Sequence, residues 1–218
     1  MNPIPTIFLL KLAILFLLIG ESVAQNGNKS AIGEIRMVQG VTTVYTKDGA
    51  LSPIGQGFEI GVMDSIITHE DGYLSFTFNG RSIIHMHPGS KITFHQTDHI
   101  NQSELRAKVH RGEILVEAVH TNQLLHIITP TAVGVTENAI YKIQITENGS
   151  TTFTAIHGNV EITAAESGET QMLARRNRLK TDLRGQFFTV QHISNREVDN
   201  VKVMFNRFRM PTETAPGH

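Results

Sequence analysis

Apolar side chains of one parity recur along residues 73–95, and this pattern constrains the chain more than any other feature. The apolar members share one parity: Leu74, Phe76, Phe78, Ile84, Met86, Ile92 and Phe94. Successive side chains of a β-strand point to opposite faces, whereas a helix repeats every 3.6 residues. The pattern therefore predicts half-buried strands, with these residues facing inward and His85, His87, Lys91 and His95 on the opposite face.

Short β-type runs continue through most of the remaining sequence. They lie at Val41 to Tyr45, Glu113 to Val119, Leu124 to Thr129, Ala139 to Ile145, Thr151 to Ile156 and Asn159 to Thr163. Turn-forming pairs separate many of them: Asp48-Gly49, Asp71-Gly72, Asn79-Gly80, Pro88-Gly89, Asn148-Gly149 and His157-Gly158. Such pairs are typical of hairpins. The sequence predicts an all-β domain.

One helix is expected at the C-terminal end, over residues 194–209. Val198, Val201, Phe205 and Phe208 recur at helical spacing, and Pro211 follows as a stop signal. Two roles remain open for this helix, since it can cap an open end of the β structure or dock a partner. Residues 210–218 are expected to form a frayed tail.

Composition excludes several classes of protein. Apolar residues make up 40% of the chain and charged residues 18%, which is enough to bury a core. The formal net charge is −1, so no broad basic face is expected and nucleic acid is not a predicted partner. The chain has no cysteine, which excludes disulfides, thiolate metal ligands and thiol catalysis.

The first residues indicate export. Ile4 to Ile19 are nearly all apolar, and Ser22-Val23-Ala24 offers the small residues that a signal peptidase requires. Residues 1–24 are therefore interpreted as a signal peptide, with Gln25 as the first mature residue. Lys11 interrupts the apolar run, so an uncleaved N-terminal inner-membrane anchor remains the alternative. Both interpretations place the β domain outside the cytoplasm, as a periplasmic or secreted protein.

The histidines supply a candidate metal site. His85 and His87 alternate on one strand, so their imidazoles share a face, and His95 has the same parity further on. Zinc or nickel can bind such a set, although no nearby Cys, Asp or Glu completes a recognised ligand spacing. The alternative is that these histidines are ordinary solvent-facing residues. A histidine-based metal-binding protein is thus the second functional hypothesis.

No catalytic or cofactor motif accompanies these features. His69-Glu70-Asp71 precedes Gly72 in a turn pattern, where such residues bond their own backbone. The sequence has no phosphate loop, dinucleotide fingerprint, GxSxG elbow or HExxH motif. The basic cluster from Arg175 to Lys180 is interpreted as a solvated turn centred on Asn177. We therefore expect no cofactor and no enzymatic activity.

A weak internal repeat bears on the architecture. Residues 109–116 around Gly112 resemble residues 155–162 around Gly158. Recurrence of a turn-strand unit is typical of a solenoid, but a β-sandwich with similar hairpins would show it as well.

The stretch from Gly33 to Gly185 resembles a FecR domain. The motifs appear in family order: Gly61-Val62-Met63-Asp64-Ser65-Ile66-Ile67-Thr68, Leu74 to Phe78, Gly80-Arg81-Ser82, Ile128-Thr129-Pro130-Thr131-Ala132, Tyr141-Lys142-Ile143 and His157-Gly158-Asn159-Val160-Glu161-Ile162. Met63 replaces a glycine of the family pattern, and Asn138-Ala139 replaces Gly-Thr. The resemblance implies a right-handed β-helical domain outside the cytoplasm that relays signals between an outer-membrane event and an inner-membrane regulator.

One family property is not expected in this chain. Full-length regulators of the family carry a cytoplasmic sigma-binding segment before a membrane span, and only three residues precede Ile4 here. The sequence therefore predicts a stand-alone, non-catalytic module that binds an envelope protein or polymer through strand edges and turns.

Overall fold

The computed structural model describes residues 31–52, 54–99, 102–118 and 124–207. The predicted signal segment 1–24 and the tail 210–218 lie outside these residues. Within these described residues the chain forms one helix, α1 (Asn195–Arg207), and seventeen strands. The strands are β1 (Ala31–Gln39), β2 (Thr42–Tyr45), β3 (Leu51–Ser52), β4 (Glu59–Gly61), β5 (Ser65–Thr68), β6 (Tyr73–Phe78), β7 (Ser82–Met86), β8 (Lys91–His99), β9 (Gln102–Ala118), β10 (Leu125–Ile128), β11 (Ala132–Thr136), β12 (Ala139–Ile145), β13 (Thr151–Gly158), β14 (Val160–Ala164), β15 (Thr170–Leu173), β16 (Asn177–Thr181) and β17 (Gln191–His192). Within the described ranges, no helix has both the length and the apolar character that crossing a membrane requires.

The strands pair into two ladders that share the long strand β9. Ladder A has the order β4-β1-β6-β7-β9-β12-β13-β16-β17. Ladder B has the order β3-β2-β5-β8-β9-β10-β11-β14-β15. Residues before Gly112 pair in ladder B, and those from Gly112 onward pair with β12 in ladder A. Gly112 has φ 91°, a conformation that L side chains rarely adopt, so it allows the strand to pass between the ladders.

The pairing differs from that of the expected right-handed β-helix. Successive coils of a β-helix pair in parallel, but the described strand pairs are antiparallel except β9 with β10. The reason is local, because short turns such as Asn79-Gly80 return the chain beside the strand it has just left. Both ladders nevertheless advance with the sequence from one end to the other, as in a solenoid. The result is an open two-ladder structure built from hairpins.

The apolar parity predicted for residues 74–94 is confirmed. Leu74, Phe76 and Phe78 on β6 are fully buried, as are Ile84, Met86, Ile92 and Phe94 on the next two strands. The Phe94 ring of ladder B lies 5.5 Å from the Phe76 ring and 5.4 Å from the Phe78 ring, both in ladder A. The inner faces of the two ladders therefore pack against each other. Burial of this apolar layer is the main favourable term in folding.

A corner between β4 and β5 carries the chain from ladder A to ladder B. Asp64 is fully buried there, and its carboxylate accepts hydrogen bonds from the backbone N–H groups of Gly61 at 2.8 Å and Lys47 at 3.1 Å. Met63 has φ 69°, in the left-handed region that favours glycine. This explains why the family pattern has glycine at the position that Met63 occupies. Asn138, the other departure from the pattern, is not among the residues with positive φ.

Helix α1 forms where the sequence predicts it, but it does not cap the end of the β structure. Ser194 and Glu197 form a capping box, in which each side chain bonds to the backbone N–H of the other residue. Val198 and Val201 pack with Leu115 and Ile156 on the outer face of ladder A and with Ile193, which follows β17. The helix needs an apolar surface, and that surface lies on a ladder face rather than at an open edge.

Candidate interaction surface

His85 and His87 lie on the outer face of ladder A, but they are buried rather than solvent-facing. Their exposed fractions are 4% and 8%. His85 Nε2 lies 2.8 Å from Glu117 Oε1, and His87 Nδ1 lies 3.8 Å from Glu113 Oε1. Both glutamates come from β9, the neighbour of β7 in ladder A. Burial of these imidazoles is therefore matched by carboxylate partners that local sequence did not reveal.

The same network extends to the next strand. Lys142 on β12 places its Nζ 3.0 Å from Glu113 Oε2, so Glu113 faces both His87 and Lys142. The Tyr73 ring meets the His87 ring edge-on, with centroids 5.5 Å apart. These contacts fix the side chains of four adjacent strands on one face, which gives ladder A a preorganised polar surface.

His95 does not join His85 and His87. It lies on β8 in ladder B, so it faces the opposite side of the molecule. There, the Thr93 hydroxyl lies 3.1 Å from His95 Nε2 and 2.8 Å from His110 Nε2. Parity correctly placed all three histidines outside the core, but it cannot tell which ladder a strand joins. Within the described residues, no group of three or more His, Asp or Glu side chains is arranged to hold a metal ion.

Ladder B carries a second set of histidines in a more cationic setting. Glu104 Oε1 lies 2.7 Å from His126 Nδ1, while its Oε2 lies 2.8 Å from an Arg106 guanidinium nitrogen. Burial lowers the pKa of His126, and this effect exceeds the opposing attraction of Glu104. Burial also lowers the pKa of His110, with further repulsion from Lys91 and Lys108.

A polar groove of about 390 Å³, which we call the threonine trough, lies on the outer face of ladder A. Its lining residues come from β12, β13, β16 and the segment before and within β17: Lys142, Gln144, Thr152, Thr154, Arg178, Lys180, Phe188, Thr189 and Gln191. No carboxylate is among them. Strand register sets the arrangement, because Thr154 on β13 lies between Lys142 and Arg178 on the neighbouring strands.

The trough exists because its middle strand carries short side chains. Thr152 is paired in register with Gln144 on β12 and with Lys180 on β16. Adjacent strands are about 4.8 Å apart, so the long side chains of β12 and β16 form walls about 10 Å apart over a threonine floor. The depression thus follows from side-chain length at paired positions.

Ion pairs outside the trough hold two of its cations. Lys142 contacts Glu113 on one side, and Arg178 lies 2.6 Å from Glu197 of helix α1 on the other. Lys180 Nζ lies 5.6 Å from the centre of the Phe188 ring, and no described carboxylate forms an ion pair with it. The lining therefore retains about one uncompensated positive charge.

Two other sequence-predicted sites are turns, as expected. Gly72 donates its N–H to the carbonyl of His69 at 3.0 Å, and the Asp71 carboxylate accepts the Val41 N–H at 3.2 Å. In the basic cluster, the left-handed residue is Arg176, with φ 64°, whereas Asn177 is the first residue of β16. The expected turn is confirmed, with its centre one residue earlier than predicted.

Sequence reasoning did not find the trough or the two glutamates. Lys142, Thr154 and Arg178 are far apart in the chain and become neighbours only through pairing of β12, β13 and β16. Alternation within Lys142 to Gln144 and Thr152 to Thr154 does indicate that these side chains face outward. The order of strands is the missing information.

Comparison with known proteins agrees with this architecture. Two crystal structures, each assigned to an anti-sigma factor from Parabacteroides distasonis ATCC 8503, share the fold. The first has a TM-score of 0.51 and 12% identity, covering 63% of this chain and 64% of that one. The second has a TM-score of 0.50 and 12% identity, covering 61% of each. The chain thus spans less than two thirds of either protein.

The sequence comparison finds similarity to a family in the central part of the chain. No curated protein matches the chain. The family model described as FecR protein matches residues 64–161. That range begins at the buried corner residue Asp64 and ends in β14, so it includes the core of both ladders and the shared strand β9. The chain is therefore similar to the FecR family over residues 64–161.

Proposed function

We propose that this chain is an exported, non-catalytic signalling module that binds another protein of the cell envelope. The observation that carries the proposal is the FecR match over residues 64–161. The fold shared with structures assigned as anti-sigma factors supports a regulatory role. Function is inferred here from family and fold together, because a fold alone does not specify activity.

The N-terminal sequence supports export. An apolar run from Ile4 to Ile19 followed by Ser22-Val23-Ala24 is the pattern of a secretory signal. Mass spectrometry of the protein from separated cell fractions tests this directly. A periplasmic or secreted form beginning at Gln25 is the expected result, and a membrane-bound form with Met1 retained would indicate an inner-membrane anchor. Protein confined to the cytoplasm would contradict export.

The last strands of the two ladders supply a binding edge. β15 pairs with β14 on one side, and no other strand in the described part of the chain pairs with its second side. Met172 on β15 is 58% exposed, and Phe188 and Val190 beside the outermost part of ladder A are also exposed. An open strand with apolar side chains can accept a strand from a partner. We therefore place protein binding at this C-terminal edge.

Site-specific crosslinking in cells tests the proposed edge. A photo-reactive amino acid at Met172 is expected to capture a protein of the envelope. Leu51 is the matched control, because it is a similarly exposed apolar residue, 66% accessible, on the edge strand at the opposite end of ladder B. Equal capture at both positions would contradict a specific edge. Absence of protein adducts at Met172 would contradict protein binding there.

A further inference from the structure

The geometry points to the threonine trough as a binding site for an acidic sugar, a single ring that bears one carboxylate. The trough adjoins the C-terminal edge and shares Phe188 with it, but the assignment does not depend on a protein partner. It follows from the size of the trough, its charge and the hydrogen-bonding groups that line it.

Size limits the ligand to a small molecule. A volume of about 390 Å³ is at the lower end of the range for ligand pockets. The walls contributed by β12 and β16 are about 10 Å apart, because one strand lies between them. One sugar ring fits this width.

Charge selects a monoanion. Three cations line the trough, and two of them already face carboxylates at its margins: Lys142 with Glu113 and Arg178 with Glu197. Lys180 is the cation without such a partner among the described residues. The outer carboxylates hold Lys142 and Arg178 in position and reduce the positive charge that they add to the trough. One carboxylate on the ligand would balance the positive charge that remains at Lys180.

The neutral polar side chains that line the trough favour a ligand with hydroxyl groups. Within the described residues, no hydrogen bond uses the side-chain amides of Gln144 and Gln191 or the hydroxyl of Thr152. These groups offer both donors and acceptors, as the hydroxyl groups of a sugar require. Phe188 is half exposed at the rim and supplies an apolar surface. A ligand that combines hydroxyls, an apolar ring face and one negative charge uses every feature of the lining.

Isothermal titration calorimetry of the full chain at low salt tests the assignment with three probes. Glucuronate should bind, glucose should bind at least about tenfold more weakly because it lacks the charge, and inorganic phosphate should bind more weakly because it lacks the ring. Glucose binding as tightly as glucuronate would overturn the role of charge. Phosphate binding as tightly as glucuronate would overturn the role of the sugar ring, because the trough would then recognise only negative charge. Failure of glucuronate to bind would overturn the proposal.

Two variants locate the binding. Lys180→Gln is expected to weaken glucuronate binding about tenfold, since it removes a charge-assisted hydrogen bond. Thr152→Leu keeps every charge but fills the floor, so it should abolish binding. Lys47→Gln is the matched control, because Lys47 is exposed next to β2 in ladder B. Equal weakening by Lys47→Gln and Lys180→Gln, in variants with unchanged thermal stability, would refute a site in the trough.

Discussion

The outer faces of ladders A and B use similar residues in different ways. On ladder A, His85 is buried against Glu117, and helix α1 packs over Leu115 nearby. On ladder B, His95 and His110 converge on the hydroxyl of Thr93 in a partly exposed setting. A histidine on an outward-facing strand position is therefore a structural residue on one face and a surface residue on the other. What differs is the set of strands beside it.

The largest expected effect concerns the apolar layer that separates the two faces. Phe76→Asp places a carboxylate among fully buried side chains, so it should destabilise the domain by about 4 kcal/mol or more. Thr77→Asp, at the next position on the outward side, should cost about 1 kcal/mol or less, mainly through loss of its hydrogen bond with the Glu34 backbone. Urea unfolding of both variants provides the measurement. Equal losses would contradict the assignment of inner and outer faces.

The next prediction compares the two faces directly. His85→Ala should destabilise the domain by about 1–3 kcal/mol, because it removes a buried side chain and leaves Glu117 without this partner. His95→Ala should change stability by about 0.5 kcal/mol or less, since His95 is partly exposed on ladder B. Thermal melts of the two variants distinguish the faces. A larger loss from His95→Ala would reverse the comparison.

A smaller effect is expected at the corner that joins the ladders. Met63 has φ 69°, so Met63→Gly relieves backbone strain and should raise stability by about 1 kcal/mol. Asn79 has φ 51° but is a residue type that tolerates this conformation, so Asn79→Gly is the control and should give little gain. Denaturant midpoints measure both changes. A loss of stability in Met63→Gly would show that contacts of the exposed Met63 side chain stabilise the fold by more than the backbone strain destabilises it.

The smallest predicted effect is the pH dependence contributed by ladder B. Burial lowers the pKa of His126 in the folded state, so the unfolded chain binds a proton more readily. Stability should therefore fall as pH decreases from about 6.5, the usual histidine value, toward the lower pKa of the folded state. His126→Gln should reduce this slope in melts between about pH 7 and 5, and His110→Gln should reduce it further. An unchanged slope in the double variant would show that acid sensitivity arises elsewhere.

The expectations about histidine show where sequence reasoning reached its limit. His85, His87 and His95 share a parity, and the structure confirms that all three point away from the core. Yet β7 and β8 belong to different ladders, so His95 faces the opposite side from the other two. Glu113 and Glu117 reach His87 and His85 from β9, a strand that follows β8 in the sequence. Long-range pairing therefore decided both the grouping and the burial of these side chains.

By itself, the sequence determined what depends on neighbouring residues. Alternation identified Phe76 and Phe94 as core residues, Gly and Asn marked the turns, and the helical spacing of Val198 and Val201 predicted helix α1. The tertiary structure alone decided that β9 joins two ladders, that the helix packs on a ladder face, and that the threonine trough exists. The physical reason is that side-chain parity and turn propensity are local properties of the chain, whereas strand order is fixed by non-local packing that buries the apolar face of every hairpin at once.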